Sequence, residues 1–493
     1  MLRLLSAAMS HVHAFGADAL GECDAVGVAE AIASGTISAA EALEAALARI
    51  DAVEPLIHAV AVDDRERARA RAEGYRSGGG AGSDAGGTGA LCGGCFAGVP
   101  SIIKNNTDFA GLPTLNGSAA VAPTPAVANE PFTDQLLATG VNLVGASSLP
   151  AFGLTATTEF ADREPTRNPW DLNFSCGASS GGSAALVAAG ALPIAHGNDG
   201  GGSIRIPAAA CGLVGLKPSR DRLIPAAEAK GLPIDIIANG VLSRSVRDTA
   251  TFLADAERFR PAPKLSLVGM VSGPSERRLR VAVCGEPLTG QLLDDDTERG
   301  LNATAELLTR LGHRTEMIPM PVDRAFVDQF TDYWAMLAFF IDHSGKRVVG
   351  KGFDRSQLDP LTRGLSRKYL RRSWRTPAVL SGLRRATARM RETFSRFDVI
   401  MSPTLAHTTP EIGFLDPAGD FDEIFDRLRR YVAFTPANNT AGLPGISLPL
   451  ATTAAGLPLG IHFSADLGDE KTLLELAYEL EAATPFARIQ DRP

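Results

Sequence analysis

Apolar residues recur every three or four positions after Ser38, where Leu43, Ala46, Leu47 and Ile50 fall on one face. Ser38-x-x-Glu41 supplies a capping box ahead of them and Pro55 closes the run, so the pattern predicts a docked helix over about 38–52. Residues 99–103 and 141–145 are short unbroken apolar runs that read as buried strands. A helix over about 134–139, stopped by Gly140, precedes the second. The alternation returns as a strand at 278–284, a helix at 294–311 with an acidic start and Gly312 as its stop, and a strand at 314–318. Residues 445–450 and 459–465 flank a turn at Gly456 as a strand pair, and 470–483 forms a closing amphipathic helix. Strands alternating with helices predict an α/β sheet.

The stretch 326–340 breaks this rhythm with Phe326, Phe330, Tyr333, Trp334, Phe339 and Phe340. Such a stripe on a helix is first a packing surface, and its other use is the lining of a substrate pocket. Residues 77–94 are mostly Gly, Ala, Ser and Thr, too poor in apolar surface to offset ordering entropy. They read as a mobile insertion within a domain.

Composition narrows the class. A chain of 493 residues with 45% hydrophobic and 21% charged residues has material for a large core, and no apolar run approaches the ~20 residues that span a bilayer. The apolar stretch near Met1 is short for a secretory signal, so a cytoplasmic location is expected. A net charge of −8 gives no reason to expect a nucleic-acid partner. The basic run at 367–391, with Arg367, Lys368, Arg371, Arg372, Arg375, Arg384, Arg385, Arg389 and Arg391, reads as a solvated helical face, with an acidic partner as the alternative. Six cysteines without regular spacing fit a reduced compartment. Cys92 and Cys95 form one Cys-x-x-Cys with no second pair at metal-ligand spacing, so no metal is expected.

The densest chemistry lies between Cys176 and Pro207. Ser-Ser-Gly-Gly-Ser (179–183) leads into a helix start with free amides, and Gly-Asn-Asp-Gly-Gly-Gly-Ser-Ile-Arg-Ile-Pro (197–207) places Ser203 behind three glycines that can turn several N–H groups toward one point. These are materials for a nucleophile and an oxyanion hole. A serine needs a base. His196 ends an apolar run and reads as a core or strand-end residue, whereas Lys104, after a buried strand and before two asparagines, is placed to be kept neutral. To act near pH 7 its ammonium must lose about three pKa units, roughly 4 kcal/mol, which burial can supply. Taken alone, Lys104 would read first as a lysine paired with a carboxylate.

Together these segments resemble the amidase signature family. Gly98-Val-Pro-Ser-Ile-Ile-Lys104-Asn-Asn is similar to its lysine motif, the two serine segments to its signature core, and Asn439-Thr-Ala-Gly-Leu-Pro-Gly-Ile-Ser-Leu-Pro449 to its C-terminal motif. The resemblance covers about 25–485. It implies one large α/β domain, a central mixed β-sheet flanked by α-helices, with 1–24 as an N-terminal extension, 320–395 as a helical insertion on the substrate side and 486–493 as a tail. It also implies that Ser203 attacks the carbonyl, that Ser179, after a cis peptide, passes the proton to neutral Lys104, and that the amides of Gly200, Gly201, Gly202 and Ser203 hold the oxyanion. Asp199 and Arg205 would then support the loop structurally. No cofactor is implied, and a homodimer is compatible. Three positions depart from the family pattern: Asn105 stands where Asp is common, Ala178 where Gly is common, and Asn198 where Thr is usual. Thr166-Arg-Asn-Pro-Trp and Ala195-His-Gly-Asn-Asp look most like the branch containing 6-aminohexanoate cyclic-dimer hydrolases.

The expectation is an amidase that cleaves the C–N bond of a small or medium carboxamide, linear or cyclic, through a serine acyl-enzyme. The alternatives are the glutaminase subunit of a tRNA-dependent amidotransferase and a catalytically silent binding protein on the same fold. Val432 stands where the glutaminase subunits have an Asp for the glutamine amino group, and retention of Lys104, Ser179 and Ser203 argues against silence.

Overall fold

Ser38 caps the helix Ala39–Ile57 as its spacing predicts: its Oγ accepts the Glu41 N–H at 3.1 Å, and the Glu41 carboxylate accepts the Ser38 N–H at 2.7 Å. The helix does not end before Pro55, as the sequence suggests; Pro55 lies inside it, and the chain leaves at His58 in the left-handed region, φ 51°. The apolar stripe continues through Val53 and Ile57, both fully buried. Burying two such side chains at about 1.5–3 kcal/mol each outweighs the ~3 kcal/mol cost of a proline in a helix. The computed structural model describes residues 11–75 and 93–492. The Gly-rich run 77–94 falls almost wholly outside the described residues, as does Cys92. Cys95 accepts a hydrogen bond from Arg258 at 2.8 Å.

The strands, in chain order, are β1 (Val60–Asp63), β2 (Pro100–Lys104), β3 (Asn142–Ser147), β4 (Arg167–Asn168), β5 (Asp171–Ser175), β6 (Ile194–Asp199) and β7 (Val214–Lys217). There follow β8 (Ala238–Ser243), β9 (Arg280–Val283), β10 (Arg314–Met317), β11 (Val399–Pro403), β12 (Gly445–Thr452) and β13 (Pro458–Ser464). Eight of them form one mixed sheet in the order β10-β9-β11-β13-β12-β7-β8-β6. The β9–helix–β10 unit is parallel, as the alternation at 278–318 predicts, and β12 and β13 are the expected antiparallel pair. The closing helix is Glu470–Ala483. The domain is thus α/β, with a large mixed sheet flanked by helices.

A smaller sheet, β1-β3-β2, stands against the β6 edge of the large one. Side chains join the two: Ser101 Oγ donates to the Ile194 carbonyl at 3.0 Å, and the Lys104 N–H donates to His196 Nδ1 at 3.2 Å. This junction sets the site, because Lys104 ends β2 while Asp199 ends β6. Outside it, helices Arg324–Val348, Pro360–Arg372 and Thr376–Thr393 form a layer. The basic run is divided between the last two and partly spent on the protein's own carboxylates: Arg372 and Arg375 reach Asp332, Arg389 reaches Asp323, and Arg391 reaches Asp466. Residues near both ends also dock on the body, through Arg49 with Asp18 and through the buried Ile489. Among the described residues no helix is long and apolar enough to cross a membrane.

Candidate active site

Each serine segment is pinned by the helix that follows it. Ser179 follows a cis Ala178–Ser179 peptide and precedes the helix Gly181–Ala188; Ser203 precedes the helix Arg205–Cys211. The Ser180 N–H donates to the Ser203 carbonyl at 3.2 Å, tying the segments together. The neighbouring hydroxyls are structural: Ser183 donates to the His196 carbonyl at 2.6 Å, and Ser180 to the Asn198 carbonyl at 3.3 Å. Ser203 Oγ, by contrast, makes no hydrogen bond among the described residues and faces a cavity.

Lys104 is fully buried. Its Nζ lies 2.8 Å from Ser179 Oγ, 2.6 Å from Asn198 Oδ1 and 3.4 Å from the Asn198 carbonyl. It forms no ion pair among the described residues. Burial pushes its pKa down to about 7, and the negative charges of Glu228 and Asp199 offset only part of the fall. A neutral amine has two hydrogens and one lone pair. Three partners satisfy it when both hydrogens go to Asn198 and the lone pair accepts from the Ser179 hydroxyl.

The loop carrying Ser203 is held by an opposite arrangement. Asp199 and Arg205 are both fully buried and pair at 2.9 and 3.0 Å. Burial alone would raise the Asp199 pKa, but the guanidinium beside it holds the carboxyl well below the usual range. Arg205 also donates to Asn439 Oδ1 at 2.6 Å and contacts His462 Nε2 at 3.0 Å. Asp199 accepts the N–H groups of Gly202 (2.7 Å), Ile204 (3.2 Å) and Arg205 (3.4 Å). The sequence reading of the oxyanion hole therefore needs one correction: the Gly202 amide is committed to Asp199. The N–H groups of Gly200, Gly201 and Ser203 make no hydrogen bond among the described residues. Gly202 is needed for its backbone: with φ at 134°, a Cβ there would fall 2.4 Å from Thr435 Oγ1.

His196 lies on β6, fully buried. Burial, reinforced by the Lys104 charge, lowers its pKa to about 3, and its Nδ1 already accepts the Lys104 N–H. It stays neutral, with Nδ1 engaged in the sheet junction, in keeping with the core reading of the sequence.

The cavity over Ser203 is almost wholly apolar. Leu154, Phe326, Phe330, Trp334, Leu428 and Val432 form its walls, and the charged residue in the lining is Arg429, which pairs with Asp328 at 3.0 Å. The aromatic stripe divides: Phe326, Phe330 and Trp334 face the cavity, Tyr333 is buried and Phe340 is exposed. Gly153 also lines the cavity and backs onto the relay position, since a Cβ there would fall 2.9 Å from Ser179 Oγ. Trp170 and Cys176 are buried away from it.

Sequence reasoning missed four contributors. Asn439 heads the C-terminal motif, so its position was visible, but its bonds to the Asp199 carbonyl and carboxylate (both 2.8 Å) were not. Thr435 holds the Gly201 carbonyl at 2.7 Å. Asn106 and Glu228 reach the lysine through Asn198. A proline-flanked Thr435 and a lone Glu228 carry no local signal.

A family model described as Amidase matches residues 41–474. A Mycobacterium leprae protein bearing the name amidase AmiC is 47% identical over 483 residues, covering 98% of this chain and 99% of its own. A 6-aminohexanoate-cyclic-dimer hydrolase of Pseudomonas sp. is 32% identical over 493 residues, covering 94% of this chain and 95% of its own. The solved structure of 6-aminohexanoate cyclic dimer hydrolase complexed with substrate superposes with a TM-score of 0.83 at 29% identity, covering 96% of this chain and 98% of that one.

Proposed function

The chain belongs to the amidase signature family, and from that premise we propose that it hydrolyses small or medium carboxamides with an apolar acyl part through an acyl-enzyme on Ser203. The observation that carries this reading is Lys104 Nζ, buried without an ion-pair partner among the described residues, 2.8 Å from Ser179 Oγ. On this reading 25–485 constitute the amidase domain.

The substrate's apolar part lies between Trp334 and Leu428, which brings its carbonyl over Ser203. Ser203 Oγ attacks the carbonyl carbon, its proton passes to Ser179 Oγ, and the Ser179 proton passes to the lone pair of Lys104. The negative charge on the carbonyl oxygen is taken by the N–H groups of Gly200, Gly201 and Ser203, which need not leave other partners to do so. Collapse expels the amine, which recovers the proton from Lys104 by the reverse path. Water then enters on the vacated side, is deprotonated along the same relay and attacks the acyl carbon. The bond to Ser203 Oγ breaks, Ser203 takes the proton back from Lys104 through Ser179, and the acid leaves. Asp199 and Arg205 keep the loop in place and take no proton.

The glutaminase reading is disfavoured by Val432, which brings a hydrocarbon to the cavity wall where an amino group would need a carboxylate. The silent-binder reading is disfavoured by the unbonded Ser203 hydroxyl.

Intact-protein mass spectrometry after treatment with a fluorophosphonate tests the assignment. One adduct, mapped by digestion to Ser203 and absent from a folded Ser203→Ala variant, is the expected result. Labelling elsewhere, or none in the folded wild type, would refute Ser203 as nucleophile.

A further inference from the structure

The lysine is the end of a polar chain that runs away from the substrate. Its Nζ donates to Asn198 Oδ1 at 2.6 Å; Asn198 Nδ2 donates to Asn106 Oδ1 at 3.0 Å; Asn106 Nδ2 donates to the two carboxylate oxygens of Glu228 at 3.3 and 3.4 Å. Every link points the same way, so two amide dipoles lie head to tail between an ammonium position and a carboxylate. None of Asn106, Asn198 and Glu228 lines the cavity.

The chain is anchored at each step. Asn198 belongs to β6, and Asn106 sits in the turn after β2, where its N–H returns to the Lys104 carbonyl at 2.9 Å. Glu228 lies in the short turn Ala227–Ala229, held by the Ala227 N–H on Glu130 Oε1 at 2.6 Å and, just upstream, by the Ile224 N–H on Gln135 Oε1 at 2.8 Å. The other ionisable groups near Lys104 are accounted for: His196 is neutral, and Asp199 is matched by Arg205. Around Glu228 stand the carboxylates of Glu130 and Asp108, with Lys230 beside Glu130. Glu228 forms no ion pair among the described residues, and desolvation, with the neighbouring carboxylates, pushes its pKa up to about 7 against the opposing pull of the Lys104 charge.

We propose that Glu228 is a positioning residue for the base of this site: through Asn106 and Asn198 it holds the Lys104 nitrogen in place and favours its protonated form. This rests on the assignment of Ser203 as nucleophile and Lys104 as base. The sign follows from the charge. A carboxylate at the far end of the chain stabilises the ammonium, so removing it makes the neutral amine available at lower pH.

The test is the rate of Ser203 modification by a fluorophosphonate as a function of pH, read by mass spectrometry, which needs no knowledge of the substrate. Glu228→Gln keeps an acceptor for Asn106 and removes the charge. The midpoint of its acid limb is expected to move to lower pH, making it about twofold faster than wild type near pH 7, where Glu228 with its pKa raised to about 7 still carries charge. The two profiles converge further on the acid side, where wild-type Glu228 is protonated as well, and the plateau is equal to or below wild type. Glu228→Asp should restore a profile close to wild type. Asn106→Ala should shift the limb the same way, and the double variant no further than Asn106→Ala alone, because both act through one chain. Acid limbs that stay in place in both Glu228→Gln and Asn106→Ala, or that move upward, would overturn the proposal. A wild type that is not labelled at Ser203, or a Lys104→Ala variant with the wild-type profile, would instead overturn the underlying assignment, and the proposal with it.

Discussion

Two buried ionisable clusters flank Ser203 and are built on opposite principles. Asp199 and Arg205 are charged, matched, and bonded to Asn439 and to the amides of the nucleophile loop. Lys104, equally buried, has among the described residues no matching carboxylate in contact, and its nitrogen meets a hydroxyl, an amide oxygen and a carbonyl. Desolvation penalises a charge in either place by several kcal/mol. In the first cluster the opposite charge offsets that cost, so both groups stay ionised and immobile. In the second, nothing in contact among the described residues offsets it, so the amine gives up its proton at about pH 7 and can take one back. Rigidity and reactivity are thus assigned to separate residues on the two sides of one serine.

The contrast can be broken from either side. Lys104→Met removes the proton acceptor and keeps an unbranched side chain of similar length in its place. Hydrolysis of any amide the wild type accepts should fall by roughly 10³–10⁴ in kcat/KM with the fold retained, as kinetics and circular dichroism would show. A loss below tenfold would mean that another group takes the proton. Arg205→Met breaks the matched side and strands a buried carboxylate, which should cost about 3–5 kcal/mol in urea unfolding. If stability is kept, the pair is not what holds the loop.

The smallest expected effect sharpens the comparison through pH. The folded pKa of Lys104, about 7, lies below its unfolded value of 10.5. The unfolded chain therefore binds a proton that the folded one does not between these limits. The sign is a penalty on folding that is absent above pH ~10.5, grows as pH falls towards 7 and is constant below. Lys104→Met should accordingly be more stable than wild type at neutral pH, by at most on the order of 4 kcal/mol, and the gap should close by about pH 10.5. A gap independent of pH would point to packing rather than to the proton.

Much of this was legible along the chain because the relevant signals are local. The helix Glu470–Ala483 and the unit spanning β9 and β10 follow from periodicity, capping and glycine stops within one element. Lys104, Ser179 and Ser203 stood out because unusual short runs surround them. Pro55 misled because a local breaker lost to a tertiary term, the burial of Val53 and Ile57. Gly202 was placed among the oxyanion donors by the family resemblance, and nothing along the chain tells that Asp199 has already taken its amide. The cavity joins Leu154, Trp334 and Leu428, and Asn106 meets Glu228 across 122 positions, so neither leaves a pattern in any window of sequence.

The central claim is that Lys104 exchanges its proton near pH 7 beside a permanently charged pair. Lysine labelled with ¹³C at Cε, followed by NMR through a pH titration and assigned by its loss in Lys104→Met, reports on it directly. The account predicts a resonance that titrates near pH 7. A Lys104 resonance that keeps its ammonium shift until about pH 10 would contradict it.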